Sequence, residues 1–70
     1  MANFRIVNAY IRKTFPKLEI EAVRSEDCDY VYFAGHDGFD KVATLWVHPT
    51  STPTDVMVEM VCQEIREVYP

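Results

Sequence analysis

Both glycines of the chain, Gly35 and Gly38, fall within one short loop, and a β-rich run lies on each side of it. The stretch Asp29–His48 reads DYVYFAGHDGFDKVATLWVH. Val, Tyr, Phe, Trp and Thr dominate the runs Tyr30–Ala34 and Lys41–Val47, which is strand chemistry. The spacing predicts a hairpin around Gly35–Asp40, with Gly38 available for a positive φ. Side chains of a strand alternate between two faces. Val31 and Phe33 therefore share a face with Ala43, Leu45 and Val47. Tyr30 and Tyr32 share the other with Val42, Thr44, Trp46 and His48. One face is aliphatic and the other aromatic.

Seventy residues make a single small domain, 1–70, and a chain this short buries only a modest fraction of its surface. Its hydrophobic share of 49% is enough to fill one core and argues against disorder. A net charge of −4 opposes general nucleic-acid binding, which needs a cationic surface. The charge is uneven. Residues 1–17 carry Arg5, Arg12, Lys13 and Lys17 with no acid, whereas residues 18–70 carry three bases against eleven acids. No apolar run approaches the roughly 18 residues of a membrane span, and no secretory signal is legible, so a cytoplasmic protein is expected. In a reducing compartment Cys28 and Cys62 are expected as free thiols.

Asn3 to about Thr14 has helical periodicity. Phe4, Val7, Ile11 and Phe15 cluster on one arc, Ile6 and Tyr10 stand at its edge, and Arg5, Asn8, Arg12 and Lys13 fall opposite. Pro16 stops that helix. Lys17–Val23 alternates as a half-solvated strand, and Arg24–Asp29 reads as a polar connection. Pro49 ends the third strand because it lacks a backbone donor. A last helix runs to Tyr69, with Thr52 as its N-cap and Pro53 at its first position. Its apolar arc is Met57, Val58, Val61, Cys62, Ile65, Val68 and Tyr69; the opposite face is mostly acidic.

The expected fold is α+β in the order α-β-β-β-α, a three-stranded antiparallel meander with both helices packed on one face. The double-stranded-RNA-binding domain is similar in element order and length. That family binds through the basic start of its last helix. The corresponding stretch here is TPTDVMVEM, with Asp55 and Glu59, so the resemblance covers order alone.

Few residues suggest reactive chemistry. His36, Asp37 and Asp40 lie close together, but their spacing fits no calcium or zinc pattern, and Asp-Gly is ordinary turn chemistry. Cys28 with His36 or His48 would be a thiolate–histidine pair, which Asp27 and Asp29 beside the cysteine oppose. Phosphate loops, paired catalytic carboxylates and serine–histidine motifs are missing. No enzyme activity, metal or cofactor is expected.

The aromatic face carries the strongest signal. If both helices cover the aliphatic face, Tyr30, Tyr32 and Trp46 stay open, flanked by Glu19 and Glu21 of the first strand. Tyrosine and tryptophan are enriched in binding hot spots. The leading expectation is a non-enzymatic protein-binding module that docks this face, with its acidic surface steering it to a basic partner. In size and acidity the chain resembles small accessory proteins of phages and mobile elements, many of which inhibit a host nucleic-acid enzyme. Self-association as a homodimer is a second way to cover the face. The alternatives are nucleic-acid binding through the basic first helix and, less favoured, a small metal or thiol protein.

Overall fold

Helix α1 spans Phe4–Thr14 in the computed structural model, which describes all residues from Met1 to Pro70. Asn3 caps it: the side-chain oxygen accepts from the N–H groups of Arg5 and Ile6 at 3.1 and 3.4 Å. Val7 and Ile11, one turn apart, are its fully buried residues. Strands β1 (Glu21–Arg24) and β2 (Val31–Ala34) pair antiparallel, with Ala22 opposite Phe33 and Val23 opposite Tyr32. Helix α2 spans Thr54–Val68 and buries Met57, Val61, Cys62 and Ile65. Ala22, Val31 and Phe33 join these helical residues in one core, so both helices lie against the same side of the hairpin. Ile65, Val61 and Phe33 are buried together in it, and Leu45 packs on it half-buried.

The sheet has two strands, not the three expected, and the meander is overturned. The Lys41–Val47 run meets β2 at a single bridge, where Val31 and Leu45 exchange both backbone bonds at 2.9 and 2.8 Å. Two local structures limit it to that point. Before the bridge, the N–H groups of Lys41 and Val42 both turn back to the Gly38 carbonyl instead of facing β2. After it, Val47 N–H bonds the Leu45 carbonyl at 3.0 Å, a three-residue turn that swings the chain away at Trp46. Val42, expected on the aromatic face, is consequently buried in the core.

The main hairpin is therefore the one between β1 and β2, and the Arg24–Asp29 stretch supplies its turn. The buried Ser25 organises it: Ser25 Oγ accepts from the N–H groups of Asp29 and Tyr30 and donates to Asp29 Oδ1. Cys28 takes the left-handed conformation there, with φ 57°. Around Gly35–Asp40 the left-handed positions are Gly35 and Asp40, not Gly38. Gly38 is needed for space: a Cβ there would lie 2.6 Å from Ile20 Cγ1 and 2.7 Å from the Ala34 oxygen.

Three smaller differences share one cause, a polar group claimed by a distant partner. The ladder of β1 starts at Glu21, because Glu19 spends its backbone on the Gly35–Asp40 loop: its N–H donates to Asp37 Oδ2 at 2.6 Å and its carbonyl accepts from Asp37 N–H at 3.0 Å. Thr52 does not cap α2. Its hydroxyl donates to the His48 carbonyl at 2.8 Å, closing the short 3-10 turn Pro49–Ser51, and the capping position falls to Pro53. Asn8 does not point to solvent. Its amide donates to the Ala22 carbonyl at 3.0 Å, and its oxygen accepts from Ala22 N–H at 2.7 Å. One side chain thus pairs the free edge of β1 as a third strand would.

Truncating Asn8 leaves both backbone groups of Ala22 unpaired in a half-buried site. Asn8→Ala should lower the unfolding free energy by about 1–3 kcal/mol. Arg12→Ala, exposed on the same helix, should change it by less than about 0.5 kcal/mol. Urea melts of the two variants measure the difference; equal midpoints would show that Asn8 does not secure β1.

Candidate functional site

Tyr30 leaves the Ser25 turn just before β2, Tyr32 lies within β2, and Trp46 follows the Val31–Leu45 bridge. The alternation of β2 sends Val31 and Phe33 into the core and Tyr30 and Tyr32 to the other side. The bridge anchors Leu45 inward, so its neighbour Trp46 projects outward. Trp46 comes to rest beside Tyr30, ring centroids 5.0 Å apart and tilted by 49°, and Tyr32 stands 6.2 Å from Tyr30 on the other side. These are favoured aromatic separations. Tyr30 is half-buried beneath its neighbours. Trp46 is 76% exposed, which leaves most of the residue available for contact.

The two glutamates expected at this face are separated. Glu21 is exposed on the outer side of β1, in line with Val23 and opposite Ala34. Glu19, ahead of the strand, lines a shallow depression with Arg12, Leu18 and Gly35 at the α1 side of the sheet. The hairpin as a whole is acidic: residues 19–40 hold seven carboxylates and a single arginine.

The patch extends further than alternation indicated. Phe39, at the tip of the Gly35–Asp40 loop, is 68% exposed and, with Tyr32, Phe33, Val42 and Ala43, lines a groove of about 540 Å³. Val31 points both backbone groups at Leu45, so Phe33, two residues on, points its own N–H and carbonyl to the same edge. No protein group meets them there, because the chain has already turned away. An aromatic in a glycine-flanked loop was the available signal for Phe39, but nothing in the sequence told which way the loop would fold.

The reactive-residue candidates are dispersed. No three of the chain's histidine, cysteine, aspartate and glutamate side chains come together as a metal cluster. Asp37 is occupied as a fastener: besides its bonds to Glu19, its carbonyl accepts from the Tyr69 hydroxyl at 2.9 Å, tying the loop to the end of α2. His36 and His48 are exposed. Both cysteines are free. Cys28 Sγ accepts from the Arg24 guanidinium at 2.8 Å. Burial pushes the Cys62 thiol up, and Arg66 one turn away offsets this in part. No helix is long and apolar enough to cross a membrane. Comparison with known proteins finds no matching family model, no matching curated protein and no matching solved structure.

The geometry sets two spectroscopic and chemical expectations. Trp46 fluorescence should have the red-shifted emission of a hydrated indole and be readily quenched by acrylamide, and tyrosine-excited emission from the indole should fall in Tyr30→Ala, because the ring 5.0 Å away passes its excitation energy to Trp46. Blue-shifted, shielded emission would place the indole elsewhere. A disulfide reagent applied to the native protein should titrate Cys28 quickly and Cys62 only after unfolding, since the thiolate is the reacting form and burial disfavours it at Cys62.

Proposed function

We propose that this chain is a non-enzymatic protein-binding module whose contact surface is the Tyr30–Tyr32–Trp46 cluster, extended by Phe39. The observation that carries the reading is the exposed Trp46 indole held against Tyr30 at 5.0 Å. A flexible, isolated tryptophan would lose rotamer freedom on binding. One already packed at a tilt against a ring that is itself half-buried loses less, which is the condition for a hot spot. Single exposed hydrophobic residues are common on proteins, but contiguous aromatic patches are not.

The seven carboxylates of residues 19–40 select the partner's charge. A basic surface with apolar gaps fits; an acidic one is repelled. Arginine suits this face best, because a guanidinium stacks on indole and phenol rings while pairing with carboxylates. The cationic groove of a nucleic-acid enzyme has this chemistry, in keeping with the role of an inhibitor. Binding nucleic acid directly is disfavoured, since the four bases of residues 1–17 stand against a net charge of −4.

The test is a comparison of captures from source cells with immobilised wild type, Trp46→Ala and Glu21→Ala. A basic protein retained by wild type should be lost with Trp46→Ala, whose truncation removes more than about 2 kcal/mol of binding at a hot spot. Circular dichroism of Trp46→Ala should match wild type, because the residue is mostly outside the core. Identical captures by wild type and Trp46→Ala would end this reading.

A further inference from the structure

A second exposed apolar surface lies on the helical side of the fold. Ile6 and Tyr10, one turn apart on α1, are 45% and 51% exposed, although α1 and α2 pack against each other beside them. With Val58 and Thr54 of α2 they line a groove of about 470 Å³. The same two residues continue into a second groove, of about 420 Å³, walled by Arg5, Ala9 and Lys13. The result is an apolar trough along α1 with a cationic lip, Asp55 standing on its far wall. Residues 1–17 contain four bases and no acid, so the lip has no local counter-charge on its own helix.

The trough has the properties required of whatever covers the aromatic face: apolar, with arginine and lysine at its edge. The two surfaces sit on opposite layers of the fold, because the helices cover one side of the hairpin and the aromatic rings occupy the other. We propose that the α1 trough of one molecule docks on the Tyr30–Trp46 face of a second copy, giving head-to-tail self-association. This rests on the reading of that face as a contact surface and names one occupant for it. Charge decides the arrangement. A two-fold contact between hairpin faces would bring the acidic hairpin, with seven carboxylates to one arginine over residues 19–40, against its own copy. A two-fold contact between α1 faces would set Arg5 and Lys13 against theirs. Only the heterologous pairing brings opposite signs together. Because donor and acceptor surfaces lie on opposite sides, each added molecule presents a fresh face, so the chain of contacts does not close at two. The longest dimensions, 29 and 22 Å, restrict one face to the lower end of specific interface areas, and a contact of that size is weak and reversible. Self-association then competes with a foreign basic partner for the same rings.

Sedimentation and light scattering of the purified protein test this. At low salt the weight-average mass should rise above 8.1 kDa as concentration increases from about 10 μM to about 1 mM, and return toward 8.1 kDa at about 0.5 M salt, where screening is strong. Trp46→Ala lacks only the aromatic face, and Arg5→Glu/Lys13→Glu lacks only the basic lip; each alone should stay monomeric. Mixed, they should form a one-to-one pair that grows no further, since each supplies the surface the other lost. Tyr10→Ala replaces the charge variant if its circular dichroism departs from wild type. A wild type that stays at 8.1 kDa at the highest concentration, or a mixture that stays monomeric, overturns the proposal. Either result leaves the foreign-partner reading to the capture experiment, whose outcome does not depend on self-association.

Discussion

The two bonds between the Asn8 side chain and the backbone of Ala22 hold the layers of this protein together. A two-stranded hairpin is marginal in water and has two open edges. Here β1 has its outer edge paired by an amide from the helix that also covers its inner face. The contact therefore fixes the height and rotation of α1 on the sheet. Val7 and Ile11, flanking Asn8 on the same helix, then meet the core built by Ala22, Phe33 and α2. Without that register the helix could slide along an aliphatic surface at little cost, because apolar contacts are not directional.

The opposite edge of the sheet is handled in a different way, and the exposure of Trp46 follows from the difference. The Gly35–Asp40 loop folds onto Glu19 and Tyr69 rather than returning directly alongside β2. Its bonds to Glu19 align the segment ahead of β1, and its bond to Tyr69 secures the end of α2. The loop thereby consumes the length that a third strand would have used. What remains is one bridge at Leu45, enough to anchor the segment and too little to flatten it. Trp46 lies where the chain bends away from that anchor. The exposed aromatic surface is a consequence of a strand cut short.

Electrostatics divides the molecule by chain segment and not by layer. Four of the seven basic residues lie on or just after α1, and the carboxylates lie on the hairpin and on α2, which shares a layer with α1. Such a distribution does little for stability, since exposed charges are well screened. It matters for orientation: the field distinguishes the α1 surface from the acidic hairpin before any contact forms.

Periodicity in the sequence alone determined both helices, the turn-forming character of the two loops, the inward set Val7, Ile11, Val31, Phe33, Val61 and Ile65, and the outward pair Tyr30 and Tyr32. These depend only on the 3.6-residue and two-residue repeats of helix and strand, which each segment carries within itself. Pairing is another matter. Whether Lys41–Val47 becomes a strand depends on where the backbone bonds of the preceding loop go, and those go to Glu19 and to the loop's own Gly38, a choice made by residues distant in the chain or by the loop's closure. Asn8 on a polar helical face looks like Arg12 beside it until β1 is placed against it. Thr52 is a good cap by composition and is diverted by a carbonyl at His48. In each case a polar group had two possible partners of similar local worth, and only the assembled structure decided which one lay within hydrogen-bonding distance.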